Sequence, residues 1–143
     1  MADIRPVTPA FAVAPQLAAG EMSAVAAAGY KTVIANRPDG ESADQMSLEA
    51  ARAEAEAAGL KFVAIPFSGG PTMPLVEETA KALARAEAPV LAYCRSGTRS
   101  ITVWALAQIS AGKASPDDIV SAAAGAGYDL SGLKPTLVQL AKG

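Results

Sequence analysis

The sequence contains no histidine and only one cysteine, and both shortages exclude a great deal. Without imidazole there is no histidine general base, no Ser-His-Asp triad and no zinc or iron site built on histidine. A lone thiol rules out intramolecular disulfides and cysteine-cluster metal centres, so neither a metal nor a cofactor is expected. Aromatic residues make up 5% of the chain. No apolar run approaches the roughly 20 residues of a membrane span. Positive charge is not in excess: 12 Lys/Arg stand against 14 Asp/Glu, a net charge of -2. That balance argues against a nucleic-acid partner. Met1-Ala2-Asp3-Ile4-Arg5 lacks the basic-then-apolar order of a signal peptide, and an unpaired cysteine suits a reducing compartment. The expected location is the cytoplasm, away from membranes. Any chemistry must use the one thiol, carboxylates, hydroxyls, Lys/Arg or the backbone.

What is present suits one globular domain over residues 1–143, with 51% hydrophobic and 18% charged residues. Alanine is the commonest residue, which favours helices with thin packing faces. Residues 11–14 alternate large and small before Pro15 and predict a short edge strand. Residues 20–28 predict a helix stopped by Gly29. Thr32-Val33-Ile34-Ala35 is β-branched and apolar on both faces, as in a buried parallel strand, and Arg37-Pro38-Asp39-Gly40 breaks it. Ser47 caps a helix that Gly59 ends. Its Glu49, Arg52, Glu54 and Glu56 form a solvated face. Residues 62–65 predict the next buried strand, closed by Pro66.

Residues 68–72 form a loop, and Pro74 starts a helix to about residue 86. Residues 90–93 predict the third buried strand and residues 100–110 a helix. Two more helices are predicted at 115–124, with Ser115 as cap and Pro116 next, and at 135–142. Gly125-Ala126-Gly127-Tyr128 ends the first of these. Repeated strand–helix units imply an α/β domain with a mostly parallel sheet flanked by helices.

The chemistry concentrates in Tyr93-Cys94-Arg95-Ser96-Gly97-Thr98-Arg99-Ser100, between the third buried strand and a helix. Ligands of open α/β folds bind at this carboxyl edge. Successive N–H groups in such a turn converge on an anion, and the helix N-terminus adds to their field. Gly97 permits the positive φ this needs. A thiol there ionises more readily than an ordinary cysteine. Cys94 is therefore the expected nucleophile and Arg99 the expected anion clamp, with Arg95 a second cation. Ser96, Gly97, Thr98 and Ser100 are the other expected oxyanion-binding positions, and the Ser100 hydroxyl can donate to the thiolate. The competing reading makes Cys94 a small buried hydrophobe ending a strand. Strand, glycine, two arginines, hydroxyls and helix together favour the nucleophile.

This loop resembles those of the cysteine-dependent phosphatases and the rhodanese sulfurtransferases. Ala14-Pro15-Gln16-Leu17, the stretch from Thr32 to Glu41, and Phe62-Val63-Ala64-Ile65-Pro66 extend the likeness. They resemble the phosphatase-like domain of the beta-lactamase hydrolase-like family, over nearly the whole chain. The resemblance implies a protein-tyrosine-phosphatase-like fold of the dual-specificity type, in a family many of whose members are assigned to sulfur transfer.

Two departures bear on activity. The phosphatase pattern is His-Cys-x-x-Gly-x-x-Arg, with five residues between Cys and Arg; here Tyr93 replaces the His and four residues separate Cys94 from Arg99. Cys-x-x-Gly-x-Arg is the rhodanese spacing, a smaller ring suited to one sulfur atom. The Asp that dual-specificity phosphatases place three residues after the strand-ending Pro is here Gly69. Asp39 is the substitute acid to consider, against its competing role as a turn residue. Phosphate-ester cleavage gains about 10²–10⁴-fold from an acid, whereas sulfite leaves without one.

The expectation is therefore a sulfurtransferase that forms a persulfide on Cys94. It would draw on a small anionic donor such as thiosulfate or a persulfide, and pass sulfur to a thiol such as glutathione. The alternatives are a phosphatase forming a phosphocysteine and a non-catalytic oxyanion-binding module. Arg37 either faces the same pocket or sits in a solvated turn, and the loop at 68–72 rims the pocket.

Overall fold

Short apolar stretches closed by glycine or proline set the elements of the chain, seen here in a computed structural model that describes residues 2–143. In order they are β1 (Arg5–Thr8), β2 (Phe11–Ala14), α1 (Glu21–Ala27), β3 (Thr32–Ala35), α2 (Leu48–Ala57) and β4 (Lys61–Ala64). Then follow α3 (Met73–Arg85), β5 (Val90–Tyr93), α4 (Thr98–Ser110), α5 (Pro116–Gly125), a 3₁₀ turn (Ser131–Leu133) and α6 (Lys134–Ala141). The sheet order is β1-β2-β5-β3-β4. β2, β5, β3 and β4 run parallel and β1 is antiparallel to β2.

Alternation along the strands splits the core into two layers. Phe11, Val13, Ile34, Val90 and Ala92 face α3–α6, while Ala12, Ala14, Val33, Leu91 and Tyr93 face α1 and α2. Alanine on the second face lets those two short helices approach closely. Phe11 stacks on Trp104 at 5.0 Å between ring centroids. Eight of the residues of α4 are buried, so this helix is sunk into the core. No described helix is long and apolar enough to cross a membrane.

The expected caps form: Ser47 accepts from the Ala50 N–H and Ser115 from the Asp118 N–H. Three expectations are corrected. Residues 11–14 are not an edge strand, because β1 pairs outside them (Arg5↔Val13, Pro6↔Ala12). Pro6 is tolerated there because an edge strand need not donate on both sides. The stretch expected at 62–65 forms the opposite edge, one residue earlier, with Lys61 exposed. α4 starts at Thr98 instead of residue 100, since Gly97 already caps it.

The topology thus places β5 between β2 and β3. The ends of three neighbouring strands, at Gln16, Cys94 and Asn36, come together at one edge. Backbone bonds tie them: Gln16 N–H to Arg95 C=O at 3.1 Å and Asn36 N–H to Tyr93 C=O at 2.9 Å.

Candidate active site

Cys94 follows the last residue of β5, and its thiol lies 1% exposed at the base of the loop. The Gly97 N–H donates to Sγ at 3.1 Å. Gly97 adopts φ 94°, which only glycine takes without strain, and this turns the loop directly into α4. The sulfur therefore sits against a backbone donor, at the N-terminal end of a 13-residue helix. Both mounts of the loop, β5 and α4, are core elements, which fixes the nucleophile.

Arg99 closes the loop from the first turn of α4. Its guanidinium holds Glu41 with both ends, Nη2 to Oε1 at 2.7 Å and Nη1 to Oε2 at 2.8 Å, and Nη1 also donates to the Phe67 C=O at 3.0 Å. Glu41 accepts in addition from Arg37 Nε at 3.0 Å. Arg37 is buried and donates through Nη1 to Gln16 Oε1 at 3.2 Å. One carboxylate thus serves two guanidiniums. The hydrogen bonds from Arg99, then those from Arg37, hold the Glu41 carboxyl down to about 2, and Glu41 in turn raises Arg99.

A pH dependence of stability follows. The folded-state value of Glu41 is depressed, so its contribution is complete above about 4.5 and is lost as pH falls towards 2. Thermal unfolding of Glu41→Gln should fall well below the parent at pH 6 and converge on it between pH 4.5 and 2. A gap independent of pH would remove the ion pair as its cause.

The remaining loop positions divide. Ser96 and Thr98 are exposed and bonded to each other, Oγ to Oγ1 at 3.0 Å. Arg95 is exposed and makes no hydrogen bond or ion pair through its side chain among the described residues. Ser100 is a correction: it is fully buried, and its hydroxyl donates to Asn36 Oδ1 at 2.8 Å instead of to the thiolate. The Asn36 Nδ2 donates to the Ile65 C=O at 2.9 Å, which holds the amide with its Oδ1 toward Ser100. Ser100 therefore braces the loop from below and does not line an oxyanion site.

Asp39 takes the turn role. Its Oδ1 accepts the Leu48 N–H at 2.8 Å at the start of α2. Burial, with Asp39 nearby, pushes the Tyr93 phenol up to about 12, so it stays protonated at neutral pH. Arg37 is buried and paired with Glu41, so it is not in a solvated turn; it lines a cleft beside the loop that Cys94 does not line. The loop expected at 68–72 begins beside the clamp through the Phe67 carbonyl.

Glu41, Asn36 and Tyr128 were not singled out as site residues from sequence. The first two lie in the Asn-Arg-Pro-Asp-Gly-Glu block, a usable signal. Tyr128 had none: it comes from beyond α5, donates to the Ser96 C=O at 2.8 Å and accepts from Arg5 at 3.2 Å.

A parallel sheet carrying a Cys-to-Arg loop between its central strand and a buried helix is the fold of the protein-tyrosine-phosphatase-like proteins. Within that class, the profile described as "Beta-lactamase hydrolase-like protein, phosphatase-like domain" matches residues 3–111, and the chain belongs to this family. A beta-lactamase hydrolase-like protein of Xylella fastidiosa is 34% identical over 103 residues, which cover 71% of this chain and 24% of that one. The chain thus spans about a quarter of the length of that curated relative. A candidate phosphatase from Neisseria meningitidis superposes with a TM-score of 0.82 at 31% identity, over 94% of this chain and 95% of the other. PTPMT1, in complex with PI(5)P, shares the fold at 15% identity with a TM-score of 0.75, over 97% and 94% of the two chains.

Proposed function

We propose that this domain is a cysteine-dependent phosphatase for monoesters whose leaving group needs no protonation. The observation that carries the reading is the Arg99 guanidinium, locked by Glu41 at the end of a loop whose Gly97 N–H points at Cys94 Sγ. In this reading the Cys94 thiolate attacks phosphorus, the bond to the leaving oxygen breaks, and that oxygen departs with the electron pair. Water then attacks the phosphocysteine, releasing inorganic phosphate and the thiolate. The loop N–H groups and Arg99 hold the phosphoryl oxygens, whose charge spreads in the transition state.

Among the described residues, the positions considered for protonating the leaving group are engaged or lack a carboxyl: Glu41 is ion-paired, Asp39 is bonded to Leu48, and residue 69 is glycine. Aryl and other acidic esters are therefore the substrates favoured, and the rate should depend steeply on the acidity of the leaving group. The expectation of sulfur transfer keeps one specific support, the four-residue interval between Cys94 and Arg99. In that chemistry the thiolate attacks the outer sulfur of thiosulfate and sulfite leaves with the S–S electron pair. A thiol acceptor then takes the sulfur from the persulfide. The phosphatase-like fold and its similarity to a candidate phosphatase support phosphate.

Intact-mass measurement after acid quench separates the two. Incubation with 4-nitrophenyl phosphate should add one phosphoryl group, absent in Cys94→Ser, while thiosulfate should leave the mass unchanged. A gain of one sulfur atom from thiosulfate, with no phosphoryl adduct, would replace the proposal by sulfur transfer. Neither adduct, with phosphate affinity retained, would leave an anion-binding module.

A further inference from the structure

Beside the loop lies a cleft of about 720 Å³, a size typical of small-molecule sites. Arg95, Arg37, Gln16 and Glu41 form the part that adjoins the loop, and Ala18 and Met46 contribute apolar surface. Cys94 does not line it, so the cleft is separate from the nucleophile. The charges on the loop side do not balance. Arg37 and Arg99 share Glu41, and Asp44 is held by the Ser42 hydroxyl. Arg95 is left without a partner among the described residues. An unpaired guanidinium over a part-apolar cleft, one residue from the nucleophile, is built for a planar anion.

We propose that this cleft is the subsite for a second anionic group, a carboxylate or phosphate, on a small-molecule substrate whose reacting anion occupies the Cys94–Arg99 loop. The inference rests on that loop taking the first anion. Arg95 holds the second group with Arg37 behind it, and the substrate's apolar stem lies on Ala18 and Met46. Glu54, whose carboxylate accepts the Gly20 N–H, and Asp44 keep the rest of the cleft negative. An extended polyanion such as a nucleic acid would meet those carboxylates, whereas a compact dianion would not. Specificity then lies in the spacing of two anions.

The test is calorimetric binding to the full chain carrying Cys94→Ser, which needs no turnover. The probes are phenyl phosphate and its 3-carboxy and 4-carboxy derivatives at low ionic strength. The better carboxy isomer should bind about tenfold more tightly than phenyl phosphate, as one charge-assisted contact provides. Adding Arg95→Ala should bring that ratio below about twofold, and Arg95→Lys should retain part of it. Equal affinities in the parent background, or a preference that survives Arg95→Ala, would overturn the subsite. Binding of none of the three would instead overturn the oxyanion loop, and the subsite with it.

Discussion

Replacing Gly97 with alanine is expected to abolish turnover and lower the unfolding temperature by on the order of 10 °C. Two separate penalties act at this residue. At φ 94° an alanine side chain costs about 1–2 kcal/mol of backbone strain. A Cβ there would also overlap Tyr128 Oη and lie 2.9 Å from Tyr128 Cζ, so the ring must leave its place. That displacement breaks the bond to the Ser96 carbonyl, worth about 1 kcal/mol, and loosens the contact with Arg5. Relief of the strain by rotating the peptide would turn the Gly97 N–H away from Cys94 Sγ, which removes the donor that faces the nucleophile.

The two penalties can be told apart. Tyr128→Ala removes the overlap but not the strain, so Gly97→Ala/Tyr128→Ala should destabilise less than the sum of the two single changes. Strict additivity in a thermal-unfolding cycle would mean that Tyr128 does not buttress the loop.

Tyr128 also marks where the sequence stops being legible. The nucleophile loop could be read because Cys94, Gly97 and Arg99 lie within six consecutive residues, after an apolar strand and before a helix. The groups that aim them are distant along the chain: 58 residues separate Glu41 from Arg99, 64 separate Asn36 from Ser100, and 32 separate Tyr128 from Ser96. No local pattern encodes such contacts. Ser100 shows the consequence. Its position next to Arg99 suggests the thiolate, yet helical geometry turns its side chain to the buried face, where Asn36 waits.

The fold divides in the same way. Parallel strands such as β3 and β5 are apolar on both faces and bounded by turn residues, so they stand out. β1, with Arg5 and Pro6, carries the chemistry that keeps an edge strand from pairing further, and that chemistry hides it from a search for strands.

Arg99→Ala should reduce aryl-phosphate turnover by about 10³-fold, with kcat falling more than KM rises. The asymmetry arises because charge on the transferred oxygens becomes more spread in the transition state, and a planar cation fixed in advance responds most to that change. Arg99→Lys should recover little. An ammonium cannot span both Glu41 oxygens and the Phe67 carbonyl while still facing the loop, so its charge is present but unaimed. Glu41→Gln tests the aiming: it keeps the cation but loosens the hold on it, along with that on Arg37, and should cost about tenfold in kcat. The order Ala ≈ Lys ≪ Gln < parent in steady-state kinetics is the signature of an arginine that acts through its position. Near-parent activity in Arg99→Lys would mean that a point charge suffices at this place, and that the bidentate pair with Glu41 contributes to stability alone.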